Sequence, residues 1–443
     1  MFKNRLFFWM MSIVCLLNVG YAILRSARNA LVVADLGGGA KSIPWFELCG
    51  GMPGAILMTI GLTWLLNRHS LKHVFYIVLA VFIGFFCVFS IGVYPWLTEL
   101  KHTSVPLISS MIFFVMAELW KIALLTILFW GLVNQYVPLE NAKRFYAPLM
   151  LGGSVGTILA APLISLCTSD WLTGMSWHVS LNYMMGVLAV IGVVTAWLFS
   201  KLWDEFSVAE KVEAKKEEDN LSVWESIRIC FRSRYLLLLA WVTIADYIAY
   251  ALAEVIFFDV LRQQYPNPRD YCDFMGKLSL WNGVLTAVSA LVITPYLLRN
   301  YRWMVASLVT PVCLLVMEGA FFFALWHPKL SVQVPVLVVI GSLLFCTARA
   351  AKYTLFDTSK EISFLLLPPL EKMQGKLVID GMCARIGRGS ASFLSLMLIQ
   401  VCGSVLATVP IAGGLALFIS GSCVAATARL GTLVDEKRLK TEQ

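Results

Sequence analysis

Long apolar segments recur along almost the whole chain, and they constrain its fold more than any other feature. Each is long enough to cross the roughly 30 Å hydrocarbon core of a bilayer as an α-helix. The twelve segments lie at residues 6–24, 45–66, 74–96, 107–133, 145–166, 179–200, 235–261, 278–298, 303–325, 334–350, 378–401 and 405–426. A backbone in lipid must satisfy its own hydrogen bonds, which a helix does. The sequence therefore predicts an all-α integral membrane protein with about twelve transmembrane helices.

Composition supports the membrane prediction. The chain of 443 residues is 59% hydrophobic and 14% charged, whereas about a quarter of a typical soluble domain is charged. The net charge of +8 is explained by basic cytoplasmic loops, so we expect the lipid bilayer and no nucleic acid as a partner. The eleven cysteines form no CxxC pair, and we expect no cofactor and no metal site.

The segments fall into two sets of six, separated by a stretch rich in both acidic and basic residues. Such a stretch is typical of a solvated linker. We predict an N-terminal six-helix half at 1–203, a cytoplasmic linker at 204–233, a C-terminal six-helix half at 234–430 and a cytoplasmic tail at 431–443.

The distribution of basic residues predicts the orientation. Most loop lysines and arginines fall on the side that contains both termini, and the other side keeps chiefly Lys41, Lys101, Arg269, Lys277 and Lys329. Basic loops stay in the cytoplasm. We therefore predict a multi-pass protein of a bacterial inner membrane with both termini cytoplasmic, whose first segment is an uncleaved span.

A few charged residues lie inside or at the ends of apolar segments, where they are costly and usually functional. Arg28 lies at the exit of the first span, Glu118 in the fourth, Glu254 in the seventh and Lys352 at the end of the tenth. Many transporters have two parallel halves with a site at the midplane, and spans one, four, seven and ten line the cavity of major-facilitator folds. We predict a major-facilitator-like transporter.

Helical spacing places several of these charges beside aromatic rings. Arg25 and Arg28 share a face with Tyr21, and Glu254 shares one with Tyr250 and Asp246. Rings and guanidinium groups suit a ligand with an aromatic and a phosphate part. The predicted substrate-binding residues are Arg25, Arg28, Glu118, Lys121, Tyr250, Glu254, Lys352, Arg385 and Arg388. Two alternatives stay open: the arginines snorkel to the interface, or Lys121 merely neutralises Glu118.

Five strings make the chain resemble a known family. They are LRSARNALVV at 24–33, AELWKIALLTILFWGLVNQ at 117–135, AKRFY at 142–146, YCDFMGK at 271–277 and KYTLFDTSKE at 352–361. In order and spacing they resemble the non-mitochondrial nucleotide transporters, the ATP/ADP translocase family of obligate intracellular bacteria and plastids. The resemblance extends over 21–395 and implies transport of ATP, ADP or another nucleoside triphosphate.

The resemblance also implies two cationic and two acidic membrane residues in the transport site. These correspond to Arg28 and Arg388, where the family has Lys, and to Glu118 and Glu254. The chain departs from the family at Asn29, at Lys41 and at Ala251, where the family has Asp, Glu and Asn. The first two changes add positive charge, and the loss of an amide removes a candidate base contact, so phosphate recognition is better supported than adenine recognition.

The implied mechanism is alternating access, in which the acids pair with the cations until phosphates replace them. Both ATP/ADP exchange and proton-coupled import stay open. A carrier for another phosphorylated anion, such as a dinucleotide, is the main alternative. An integral-membrane enzyme acting on lipid-linked phosphates is a weaker one, because only Asp357, Lys360 and Glu361 offer it a polar cluster, and we expect no catalytic residues.

Overall fold

The structure is a computed structural model. It describes the backbone of residues 2–100, 103–136, 139–174, 176–206, 228, 230 and 232–442, and the side chains of these residues except 2–4, 139–148, 172–173, 205–206, 369–370, 377 and 437–442. Most of the predicted linker at 204–233 lies outside the described residues, as do the side chains of the AKRFY string. The described residues form helices and no strands.

Twelve long helices account for most of the described chain. They are α1 (Arg5–Asp35), α2 (Ser42–Arg68), α3 (Leu71–Glu99), α4 (Val105–Tyr136), α5 (Leu139–Cys167), α6 (Trp177–Phe206), α7 (Arg234–Gln264), α8 (Pro268–Asn300), α9 (Trp303–Trp326), α10 (Val334–Leu365), α11 (369–402) and α12 (Leu406–Glu436). A short helix, Asp170–Thr173, precedes α6. The all-α prediction is confirmed.

Eleven helices in the described part of the chain are long and apolar enough to cross a membrane. The twelfth predicted span, 378–401, is also helical, within α11, but it carries Asp380, Arg385 and Arg388. Most spans are longer than predicted, and in two of them the extension changes the place of a site residue. Helix α1 continues to Asp35 and α10 to Leu365, so Arg28 and Lys352 lie inside their helices and not at the ends. The predicted spans ended where charged residues interrupt the apolar sequence. The helices of the structure continue through these residues.

The chain forms two compact units. The first contains Met1–Ser42, Phe46–Lys216 and Tyr265–Val284, and the second contains Ile43–Trp45, Glu217–Gln264 and Leu285–Gln443. The start of α8 therefore belongs to the first unit, where Ser165 of α5 donates a hydrogen bond to Asp273 at 2.6 Å.

Small residues allow close helix packing in the first unit. A Cβ added to Gly156 would collide with the backbone carbonyl of Cys15, so α5 lies directly against α1. Lipid is as apolar as a side chain, so such close packing, rather than burial alone, holds membrane helices together. The indole of Trp120 on α4 is fully buried and donates to the Leu17 carbonyl at 3.2 Å. These contacts fix α1 and α4 beside each other.

Helix α7 is central in the second unit and packs against α12 and α11. Polar contacts hold the end of α10 in the same unit. Tyr235 donates to the Ser363 carbonyl at 2.8 Å, and the Trp303 indole donates to the Ser359 carbonyl at 3.0 Å. These bonds position the segment of α10 that follows Lys352.

Several helices contain π-helical segments, which are rare and are frequent at functional sites. Four of them adjoin residues singled out in the sequence: Ala30–Asp35 follows Arg28, Lys121–Phe129 follows Glu118, Lys352–Phe356 begins at Lys352, and Leu377–Cys383 precedes Arg385. The wider turn changes the direction in which the adjoining side chains leave the helix.

Candidate functional site

An ion pair joins two predicted site residues in the first unit. Arg28 on α1 donates to the Glu118 carboxylate on α4, and Arg28 is only 8% exposed. Arg28 Nε also donates to Asn29 Oδ1 at 3.3 Å. A buried charge is tolerated when it is paired, and Glu118 supplies the opposite charge. The sequence analysis expected the acids to pair with cations without assigning partners, and here Glu118 pairs with Arg28.

Aromatic rings surround the cations of this first cluster. The Arg28 guanidinium carbon lies 4.5 Å from the centroid of the Phe114 ring, one turn before Glu118. Lys121 Nζ lies 5.7 Å from the centroid of the Tyr21 ring. Each cation–π contact of this kind stabilises a structure by about 0.5–2 kcal/mol, and the contribution is largest where water is excluded. Tyr21, which the spacing had placed on one face with Arg25 and Arg28, thus contacts Lys121 on α4.

A second ion pair lies in the second unit, between α7 and α10. Arg349 donates to Glu254 Oε1 at 3.0 Å, and its Nε donates to the Tyr250 hydroxyl at 2.7 Å. The Tyr250 hydroxyl in turn lies 3.5 Å from Glu254 Oε1. The guanidinium thus binds both α7 residues that the helical spacing had placed on one face.

A third ion pair lies on the same two helices. Lys352 on α10 donates to the Asp246 carboxylate on α7. Lys352 Nζ also lies 3.3 Å from the centroid of the Tyr247 ring, and the Arg388 guanidinium carbon lies 5.4 Å from the same centroid. One ring therefore contacts two cations from two different helices.

The small-residue run on α11 explains how Arg388 reaches this ring. A Cβ on Gly387 would lie 2.8 Å from Tyr247 Cβ and 3.1 Å from the Ile244 carbonyl, which is closer than side chains normally approach. Glycine at 387 lets α11 approach the α7 backbone, and the neighbouring Arg388 then lies beside Tyr247.

The predicted site residues are only partly brought together. Arg28 meets Glu118, and Tyr250 meets Glu254, but the carboxylate of Glu254 is bonded to Arg349, a residue that the sequence analysis did not select. Arg25 is buried on α1. Arg385 is exposed and, within the described residues, forms no hydrogen bond or ion pair in this cluster.

Two functional candidates were missed and one was undervalued. Arg349 lies one turn before Lys352, so the same spacing rule finds it once α10 extends past residue 350. Tyr247 follows Asp246 directly and looked like one more aromatic residue in an apolar span. Asp246 is not among the predicted substrate-binding residues, but its ion pair with Lys352 places it in the same cluster.

The three residues considered for an enzyme are all engaged in ion pairs. Lys360 lies 3.4 Å from Asp357 and 2.7 Å from Asp380. Glu361 accepts a hydrogen bond from Lys376 at 2.7 Å. These bridges join the end of α10 to the start of α11, and a structural role accounts for them.

Taken together, three acids within spans each hold a cation: Glu118, Glu254 and Asp246 hold Arg28, Arg349 and Lys352. Arg and Lys are the side chains that bind phosphate, Arg through two parallel hydrogen bonds and Lys as a point charge. Within each unit, an anionic ligand can therefore replace a carboxylate without leaving its cation unpaired.

Comparison with known proteins agrees with this chemistry. The model of a family described as "TLC ATP/ADP transporter" matches residues 1–110 and 102–433. The chain is 32% identical over 433 residues to "ADP,ATP carrier protein 1" of Chlamydia muridarum, covering 89% of this chain and 82% of the relative. It is 30% identical over 460 residues to the chloroplastic "ADP,ATP carrier protein 2" of Arabidopsis thaliana, covering 95% and 74%.

Solved structures identify the fold. A bacterial homologue of the iron transporter ferroportin in the inward-facing state has a TM-score of 0.68 at 15% identity, covering 97% of this chain and 99% of that one. The nucleoside transporter NupG has a TM-score of 0.59 at 14% identity, covering 97% and 98%. Both support the major-facilitator-like fold. With the family model matching almost the entire chain, the protein belongs to the TLC ATP/ADP transporter family and is a membrane transporter of nucleotides, not an enzyme.

Proposed function

We propose that the protein exchanges ATP for ADP across a bacterial inner membrane by alternating access. The three ion pairs within spans carry this proposal, because they supply cations that are neutralised in the absence of substrate. The names of the Chlamydia and Arabidopsis relatives support the choice of ATP and ADP.

In this mechanism the phosphates of the nucleotide replace the carboxylates. Each unit contributes its own phosphate ligands: Arg28 in the first unit, and Arg349, Lys352 and Arg388 in the second. Glu118, Glu254 and Asp246 take the cations back after the nucleotide leaves. No state then leaves a buried cation without an anion, which would be strongly destabilising.

The aromatic residues of the clusters supply surfaces for the remaining part of the substrate. Tyr247 and Phe114 already contact cations, so their rings lie next to the proposed phosphate ligands. In the same way, the Tyr21 ring lies next to Lys121 and the Tyr250 ring next to Arg349. Stacking on such rings tolerates different bases, and selectivity for adenine needs hydrogen bonds in addition.

The basic loops support an orientation in the membrane. We infer that both termini are cytoplasmic and that residues 1–203 and 234–430 act as the two halves of the transporter, joined by a linker at 204–233. The excess of Lys and Arg on the side of the termini supports this orientation.

A carrier for another phosphorylated anion, such as a dinucleotide, is the second candidate. Ala251 favours it, because the family has an amide at this position, three residues before Glu254. A substrate recognised mainly through its phosphates does not need that amide.

The test is uptake of radiolabelled ATP into proteoliposomes that are empty or preloaded with ADP. We expect uptake that requires internal ADP, competition by unlabelled ATP and ADP, and loss of uptake in Glu118→Gln. The control is Glu361→Gln, which changes an exposed acid in the ion pair with Lys376. Competition by a dinucleotide but not by ATP would establish the second candidate, and no competition by any nucleotide would overturn the proposal.

A further inference from the structure

Three hydroxyl groups make hydrogen bonds at the π-helical segment of α10. Thr354 donates a hydrogen bond to the Ala350 carbonyl at 2.7 Å, and its hydroxyl oxygen lies 2.7 Å from that of Ser289 on α8. Thr310 on α9 donates to the Ala351 carbonyl at 3.4 Å. All three side chains that carry these hydroxyls are buried. The segment is therefore bound by polar groups from two neighbouring helices.

The direction of the bond between the two hydroxyls follows from the number of their protons. A hydroxyl has one proton to donate, and Thr354 gives its proton to the Ala350 carbonyl. In the contact between the two side chains, Ser289 is therefore the donor and Thr354 is the acceptor. A chain of two hydrogen bonds thus leads from α8 to the backbone of α10.

Lys352 lies where the backbone hydrogen-bond pattern of α10 changes. Its N–H donates to the Ala348 carbonyl four residues earlier, as in an α-helix. Its carbonyl accepts a hydrogen bond from the N–H of Asp357 five residues later, which is the pattern of a π-helix. The Ala350 and Ala351 carbonyls lie directly before this change. Buried carbonyls are normally paired, and the hydroxyls add donors at the point where the backbone pattern is interrupted.

The hydroxyl of Thr354 and the ammonium group of Lys352 lie on opposite sides of α10. Two residues along a helix differ in direction by about 200°, so these two side chains leave α10 on nearly opposite faces. Lys352 accordingly contacts Asp246 on α7. Thr354 contacts Ser289 on α8. A rotation of α10 that broke the hydroxyl contact would therefore also turn Lys352 away from α7.

We propose that Ser289, Thr310 and Thr354 are positioning residues for nucleotide binding. By holding the π-helical turn they fix the direction of Lys352, and with it the place of its ammonium group. The inference rests on the proposed function, in which Lys352 binds a phosphate. Lys binds phosphate as a point charge, so the strength of the interaction depends on the distance between the two groups. The hydroxyls act through Lys352 and not by contact with the nucleotide.

The first test measures binding of labelled ATP to the purified protein. Thr354→Val keeps the shape of the side chain and removes the hydroxyl, whereas Thr354→Ser keeps the hydroxyl. We expect Thr354→Val to bind ATP about ten-fold more weakly than the wild type, the loss expected for one charge-assisted hydrogen bond. Thr354→Ser should bind almost as well as the wild type. Ser289→Ala removes only the donor on α8 and should also weaken binding.

A double-mutant cycle separates positioning from a general structural effect. We expect Lys352→Gln to weaken ATP binding, and Thr354→Val to weaken it no further once Lys352 is replaced, because the hydroxyl then has no cation to direct. The same factor of loss with and without Lys352, or full affinity in both Thr354→Val and Ser289→Ala, would overturn the inference. The control is Thr195→Val on α6, which removes a buried hydroxyl bonded to the Ile191 carbonyl of its own helix at 2.7 Å and should bind like the wild type.

The second test needs no nucleotide. Hydrogen–deuterium exchange of the peptide that contains residues 352–357 measures how firmly the π-helical turn is held. We expect faster exchange in Thr354→Val and in Ser289→Ala than in the wild type, in Thr354→Ser and in Thr195→Val. Unchanged exchange in the first two variants would mean that the hydroxyls do not hold the turn, and the inference would be wrong.

Failure of the inference and failure of the proposed function give different results. If Lys352→Gln weakens ATP binding but Thr354→Val and Ser289→Ala do not, the positioning role is wrong and the proposed function stands. If Lys352→Gln binds ATP as well as the wild type, Lys352 is not a phosphate ligand, and the inference fails together with that part of the mechanism. If the wild type binds no nucleotide, the proposed function fails and a role in nucleotide binding fails with it.

Discussion

Arg349 on α10 binds Glu254 and Tyr250 on α7 at the same time, with distances of 3.0 Å to the Glu254 carboxylate and 2.7 Å to the Tyr250 hydroxyl. One guanidinium therefore fixes the separation of two helices through two residues that are one helical turn apart. Arg388, which the family resemblance selects, approaches the same helix through Tyr247.

The contribution of this contact is measurable with a double-mutant cycle. We expect Arg349→Gln and Glu254→Gln each to abolish most ATP uptake, because each removes a charged group that the proposed transport mechanism needs. The free energy of unfolding should show a coupling of about 0.5–3 kcal/mol between the two positions. Thermal unfolding in detergent of the two single variants and the double variant measures it, and strictly additive effects would argue against the pairing.

The pair formed by Arg28 and Glu118 predicts a split between stability and transport. Glu118→Gln leaves a buried guanidinium without its anion, which costs about 3–5 kcal/mol. The double variant Arg28→Gln with Glu118→Gln removes both charges and should recover much of this loss. Uptake of ATP should stay absent in the double variant, because the phosphate ligand is gone. Recovery of uptake together with stability would mean that the pair has only a structural role.

The ring of Tyr247 should matter more than its hydroxyl. Tyr247→Phe keeps the face that Lys352 and Arg388 contact and should bind nucleotide almost as well as the wild type. Tyr247→Leu removes the cation–π contacts with Lys352 and Arg388, which contribute about 0.5–2 kcal/mol. This corresponds to a loss of about two- to thirty-fold in affinity for the nucleotide. Binding of labelled ATP to the purified protein compares the two, and equal affinities would contradict a role for the ring.

Close approach of α11 to α7 gives a prediction with an internal control. Gly387→Ala introduces a Cβ 2.8 Å from Tyr247 Cβ and should move Arg388 away from the ring, with loss of transport. Gly381→Ala lies on the same helix, and its Cβ would meet nothing within 4 Å. The measurement is ATP uptake by both variants at equal expression. Equal uptake would show that the close approach of α11 to α7 at Gly387 is not needed for transport.

Exchange of ATP for ADP should respond to membrane potential, since one net negative charge crosses in each cycle. A potential of 100 mV, inside negative, should favour exit of ATP by about 2.3 kcal/mol, or roughly fifty-fold at equilibrium. Potassium diffusion potentials imposed on proteoliposomes test this. Exchange of ADP for ADP carries no net charge and is the control, so a response of both reactions would point to an indirect effect on the protein.

Much of the fold could be predicted because membrane helices must be long and apolar. The positions of eleven spans follow from that requirement alone. Their ends could not be predicted in the same way. The apolar run of α10 stops near Arg349, but the helix continues because its charges find partners on α7, a fact that depends on tertiary contacts.

The candidate site was predicted less completely than the fold. Spacing along one helix identified Tyr250 and Glu254 as neighbours, but partners on different helices depend on packing that the sequence does not display. Arg349 is the clearest example.

The π-helical segment Lys352–Phe356 has a consequence for how the cations change partners. A π-helical turn accommodates one residue more than an α-helical turn, and one residue corresponds to about 100° of rotation. If the bulge moved along α10, the side chains that it passes would turn by this angle while the helix kept most of its backbone hydrogen bonds. The length of this segment, and not only its side chains, then determines which acid Lys352 meets, so that deleting a single residue there would disturb the site as severely as removing the lysine.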